Sequence, residues 1–125
     1  MNDDGKIGQK NWFFADAKLP SVTDIALEGE ESIVVLNPNN VAAVIEMIFY
    51  FEHPETPLSY SSDIEPETVK SFCTKDIEDI NGRRIPEDKQ YSFALLSDQP
   101  LIVQYKRLEN IKGNLAFFSP QGYYE

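Results

Sequence analysis

An all-β domain, built as an antiparallel β-sandwich, is the fold class this sequence predicts, and three observations predict it. Apolar and aromatic runs of strand length recur along the chain: Trp12-Phe13-Phe14, Ile33-Val34-Val35-Leu36, 45–51, 91–96 and 101–105. Turn formers punctuate them, most clearly Asn37-Pro38-Asn39-Asn40, where Pro fixes φ and Asn tolerates the left-handed conformation. Eight Phe, six Tyr and one Trp supply the bulky side chains that fill the interior between two sheets.

Taken in order, 1–7 reads as a flexible acidic lead-in and 8–15 as the first strand. A short strand at 22–27 follows Pro20-Ser21, and Glu28-Gly29-Glu30-Glu31 reads as a polar turn. The continuous apolar run in 32–37 is a strand. In 41–52, Val41, Ala43, Ile45, Met47, Phe49 and Phe51 share one face; Ala42-Ala43 and Glu46-Met47 support a competing helix. β-Branched and aromatic residues and the preceding turn favour a strand, pairing with 32–37 as a hairpin. Pro54, Pro57 and Pro66 leave room for short strands at 58–64 and 68–74. A helical turn is expected near 76–80. Residues 91–96 and 101–108 form a second strand pair joined by Ser97-Asp98-Gln99-Pro100, and 115–118 is a final strand. About eight short strands result. The domain is expected over 8–119, with 120–125 as a tail whose Tyr123 and Tyr124 are either docked or exposed.

A chain of 125 residues fits one domain with one core. Its formal net charge of -10 repels phosphate backbones and anionic membranes, so nucleic acid is disfavoured as a partner. Cys73 is the single cysteine, which excludes an intrachain disulfide and reads as a strand cysteine in a reducing cytosol. The start of the chain lacks the basic and apolar regions of a signal peptide, and no apolar run spans a bilayer. A soluble, cytoplasmic protein is expected.

Chemistry-bearing motifs are sparse. The single histidine, His53, rules out a multi-His metal site. The acidic pairs lie in turns and charged loops, and 76–82 lacks the spacing of an EF-hand. No catalytic residue, metal or cofactor is implied. The remaining candidates are Trp12, Asn37, Glu46, Gln104, Tyr105 and Arg107, with Tyr50 beside them, which would line a groove where rings stack on a ligand and polar groups orient it. For Trp12 and Tyr105 the core reading is favoured over the groove; for Gln104 and Arg107 the two readings balance, Arg107 serving equally as the ion-pair partner of Glu109 or Glu46.

The order and spacing of several blocks resemble the sensory rhodopsin transducer family. Asn11-Trp12-Phe13-Phe14-Ala15-Asp16 is similar to its opening Trp-containing strand. Glu31 to Asn37, an acidic residue leading an apolar strand that ends in Asn, resembles its second block. The aromatic strand 45–51, the pairs Asp76-Ile77 and Ile85-Pro86, and above all Val103-Gln104 with Arg107-Leu108-Glu109 complete the likeness. The resemblance implies a jelly-roll sandwich assembling as a homotetramer. It implies a non-catalytic cytoplasmic module that relays a signal from a membrane photoreceptor or another protein partner. A small, possibly sugar-like ligand is implied by the sandwich's similarity to carbohydrate-binding modules. Pro66-Glu67-Thr68-Val69 departs from the family in lacking a basic pair. Two other functions are weighed: a carbohydrate-processing enzyme using Glu46 with a second acid, and a DNA-associated regulator.

Overall fold

The computed structural model describes residues 6–20, 30–111, 114–118 and 121–125. These residues form eight antiparallel strands: β1 (Gln9–Lys18), β2 (Glu30–Asn37), β3 (Ala43–Phe51), β4 (Leu58–Ile64), β5 (Thr68–Cys73), β6 (Gln90–Ile111), β7 (Asn114–Phe118) and β8 (Tyr123–Tyr124). A 3₁₀ turn at Thr74–Asp76 is the one helical element among the described residues. None of them forms a helix long and apolar enough to cross a membrane.

The pivot of the architecture is β6. Its first half pairs with β1 and β3, giving the order β4-β3-β6-β1-β8, and its second half pairs with β2 and β7, with β5 on the far side of β2. Ser97-Asp98-Gln99-Pro100 is therefore a corner inside one continuous strand, and the two halves lie in opposed layers. This replaces the separate strand pair expected at 91–96 and 101–108. Four polar contacts hold the corner: Val44 N–H donates to Asp98 Oδ1 (2.8 Å), Gln99 N–H to Ser97 Oγ (3.1 Å), Asn39 Nδ2 to the Pro100 carbonyl (2.6 Å) and Lys6 Nζ to Gln99 Oε1 (2.7 Å). Just beyond it, Gly8 has φ +103° and lies so close to Leu101 that a Cβ would sit 2.5 Å from the Leu101 carbonyl oxygen.

The hairpin expected between 32–37 and 41–52 does not form. β2 pairs with β5 and β6, whereas β3 pairs with β4 and β6 in the other layer. The turn carries the chain between layers because Asn37, wholly buried, organises it from inside. Asn37 Nδ2 donates to the carbonyls of Val41, Ile64 and Glu65 at 2.9–3.2 Å, while its Oδ1 accepts from the backbone and side-chain nitrogens of Asn39, each at 3.0 Å.

Between the layers lie Phe14, Ile33, Val35, Ile45, Met47, Phe49, Phe93, Leu101 and Tyr105, all buried. Period-2 alternation puts them there: in β3 the positions Ala43, Ile45, Met47 and Phe49 point in, while Val44, Glu46 and Tyr50 point out. Burial of each large side chain contributes about 1.5–3 kcal/mol.

Smaller differences from expectation have local causes. β1 runs on to Lys18 through an irregularity between Phe14 and Ala17, which leaves Ala15 and Asp16 both exposed. Glu30 and Glu31 belong to β2 and not to a turn. The helical turn comes earlier than 76–80, at Thr74–Asp76. Tyr123 and Tyr124 pair with Phe13 and Trp12 of β1, so the tail extends a layer. The strand expected at 22–27 lies outside the described residues.

Candidate functional site

Two polar or aromatic constellations stand out against this frame, one inside the sandwich and one on its outer face.

The internal one is centred on Glu31. Ile33, Val35 and Asn37 are the inward positions of β2, and the same alternation sends Glu31 inward, leaving it only 2% exposed. A buried carboxylate is tolerated when its acceptor sites are filled. Here Oε1 accepts from Tyr91 OH (2.5 Å) and from Thr74 Oγ1, and Oε2 accepts from Lys18 N–H (3.0 Å) and from Tyr105 OH. The donors come from β1, the 3₁₀ turn and both halves of β6, so one side chain ties the two layers together. Burial, reinforced by the Glu31 charge, pushes the Tyr91 hydroxyl well above the usual tyrosine range. Tyr105 is raised in the same way, with the nearby Arg107 charge acting in the opposite direction.

The external constellation is a groove of about 350 Å³ on the outer face of the β4-β3-β6-β1-β8 layer, lined by Phe13, Ala15, Tyr50, Ser92, Gln121 and Tyr123. Phe13 and Tyr50 are outward positions of β1 and β3, and β6 runs between them, with Ser92 opposite Tyr50. Ser92 Oγ donates to the Ala15 carbonyl at 2.6 Å. The far wall is β8, where the Tyr123 ring lies 6.0 Å from Phe13 and the Tyr123 hydroxyl donates to Glu125 Oε2 at 3.2 Å.

The residues singled out from the sequence do not share one groove. Tyr105 and Arg107 stand together beside Glu31, Arg107 being half-buried and opposite Glu31 in the β2–β6 register. Trp12 is buried, donating its Nε1 hydrogen to the Gln9 and Leu101 carbonyls at 3.0 and 3.2 Å. Asn37 sits at the opposite end of β2 from Glu31, in the turn described above. Glu46, exposed on β3, accepts from Ser59 Oγ at 3.0 Å, and Gln104 is exposed on the outer face of the other layer. Tyr50 lines the outer groove. Glu31, Tyr91 and Thr74 escaped sequence reasoning; extending the β2 alternation back by one inward position would have flagged Glu31. Among the described residues no group of three His, Cys, Asp or Glu side chains is arranged to hold a metal.

A family model described as Anabaena sensory rhodopsin transducer matches residues 7–124, nearly the whole chain. The chain belongs to the Anabaena sensory rhodopsin transducer family. Among solved structures, Thermotoga maritima 1070 is 27% identical with a TM-score of 0.80, the likeness covering 94% of this chain and 96% of that one. The Anabaena sensory rhodopsin transducer itself is 22% identical with a TM-score of 0.68, over 79% of this chain and 94% of its own, a likeness of fold. A search of curated proteins finds no match. Family membership covers the strands that build both constellations, since β1 through β8 lie between Gln9 and Tyr124.

Proposed function

We propose that this protein is a non-catalytic signal-transducing module that binds a small ligand or a protein partner and passes the binding event on. The match of the transducer family model across residues 7–124 carries this reading. The internal polar cluster is consistent with it: Glu31 has its oxygens engaged by four donors, as a structural tie requires, whereas a general acid or base needs a site within reach of substrate.

The module works in the cytoplasm as a homotetramer, with a membrane photoreceptor or another signalling protein as its partner. A sugar-like molecule is the ligand class that the likeness to carbohydrate-binding modules suggests. Glu46 and Gln104, exposed on opposite faces, are placed to touch a partner or ligand directly, and Arg107 to sense one at the Glu31 end. Trp12, Asn37 and Tyr105 serve the site by holding its frame. The net charge of -10 opposes a DNA-associated role.

The test is to recover whatever small molecule gently purified protein retains and to add it back. Saturable binding with the molecule returned unchanged is expected. Its conversion to product by the wild-type protein, and not by Glu46→Gln, would establish the carbohydrate-processing alternative instead.

A further inference from the structure

We propose that the outer groove is an aromatic cage for an organic cation of the quaternary-ammonium type, and that β8 is its closing wall, so that occupancy and docking of the last strand form one equilibrium. The proposal rests on the ligand-binding reading above but replaces its sugar-like ligand with a cationic one, and it gives that reading a site and a route for the relay.

Three observations carry it. The groove offers aromatic surface: Phe13, Tyr50 and Tyr123 line it, and each is more than a third exposed. At about 350 Å³ it is within the range of small-molecule sites, about 300–1,000 Å³. Ring faces carry negative potential and attract cations, most strongly those that shed water easily, as alkylated ammonium groups do.

The charge around it has the matching sign. Glu125 accepts from the Tyr123 hydroxyl, bringing a carboxylate to the rim. Farther along the same face, toward the end of β3 away from Tyr50, Glu46, Asp63 and Asp98 are exposed acids, and the whole chain carries -10. None of the residues lining the groove is charged, so a cation entering it meets no like charge there, while an anion meets an opposing field.

Gln121 and Tyr123 belong to the segment that forms the far wall, and that segment is lightly held. Among the described residues β8 pairs through Tyr123 and Tyr124, and Glu125 exchanges two backbone hydrogen bonds with Asn11 at 3.0 and 3.1 Å. Tyr123 remains 64% exposed. A ligand that touches both β1 and Tyr123 binds only the docked arrangement fully, and so shifts the population toward it. Trp12 reports that docking, because the Tyr124 ring lies 4.9 Å from it and the chain has no other tryptophan. Gly122 supplies a way to undo it. A Cβ there would fall 2.5 Å from the Phe14 ring, so Gly122→Ala pushes the strand off without removing a ligand contact.

The experiment titrates the intact protein with choline chloride against matched sodium chloride, following Trp12 emission and the amide resonances of Ala15 and Ser92. In parallel it uses 3,3-dimethylbutan-1-ol, the uncharged isostere of choline, and methyl glucoside. Expected are saturable choline binding at those amides with a matching Trp12 change, about tenfold weaker binding of the isostere, and a comparable loss in Tyr50→Ala and Tyr123→Ala. Tyr50 and Tyr123 are exposed, so both variants should keep the wild-type urea midpoint. Gly122→Ala should shift Trp12 emission without ligand and weaken choline. Equal binding of the isostere, preferential binding of methyl glucoside, or absence of saturation overturns the cation site. Occupancy at Ala15 and Ser92 with unchanged Trp12 emission overturns the coupling. If choline fails while native mass spectrometry of the same sample shows a retained ligand or an assembled partner, the groove assignment falls and the module reading stands.

Discussion

Phe93 and Tyr105 both belong to β6, twelve positions apart, yet their ring centroids lie 5.7 Å from each other. An extended strand of that length would separate them by about 40 Å. β6 therefore folds over itself at 97–100, and the core is in large part the meeting of one strand's two halves. Glu31 and Asn37, at the two ends of β2, tie the layers where that fold-over leaves them open.

Removal of the Glu31 carboxylate should be costly. In Glu31→Ala the Tyr91, Tyr105 and Thr74 hydroxyls lose their acceptor inside the core, and unfolding free energy should fall by about 3 kcal/mol. Tyr91→Phe and Tyr105→Phe should cost about 1–2 kcal/mol each, and the double variant less than their sum, because both act on one carboxylate. Urea denaturation checks all four variants; a wild-type midpoint in Glu31→Ala would refute the tie.

Alkaline stability follows from the same pair. Tyr91 and Tyr105 are raised in the folded protein above the ordinary value of 10.0, by burial first and the Glu31 charge second. Above that value the unfolded chain sheds these protons before the folded one does. Stability should thus be complete below about pH 10 and decline as pH rises beyond it. Thermal melts from pH 8 to 11 should show the decline, and it should be shallower in Tyr105→Phe.

The corner and the turn make two backbone predictions. Gly8→Ala should destabilise by about 2 kcal/mol or more, since it meets both the positive φ and the Leu101 carbonyl. Asn37→Ala should cost about 2–3 kcal/mol, because three carbonyls and the Asn39 amide groups lose a buried partner. Chemical denaturation measures each.

Exposed candidates should behave differently. Glu46→Gln and Gln104→Ala sit on outer faces and should leave stability within about 0.5 kcal/mol of wild type. Any loss of ligand or partner binding in these two variants then reports contact and not misfolding.

Much of the fold was legible because alternation is local. The strand at 58–64 has the predicted limits, and 32–37, 41–52 and 68–74 differ by one or two residues at their ends. Pairing was less legible. A hairpin and a crossover both begin with a strand and an Asn-Pro turn, and only the buried Asn37 amide separates them. The corner in β6 resembled a loop because Pro100 and Asp98 are turn formers that a bent strand uses equally well. Tyr105 and Arg107 stood out in the sequence because strand 101–108 is so regular, but as groove residues and not as neighbours of Glu31. Glu31 was hidden by its polar neighbours, and the groove by its dependence on β8, whose pairing with β1 joins the two ends of the domain.

Native mass spectrometry of gently purified protein tests the central claim most directly, since it reports assembly and retained molecules together. The account predicts a tetramer carrying an added small-molecule mass or a bound partner. A bare monomer, with neither ligand nor partner retained, would contradict it.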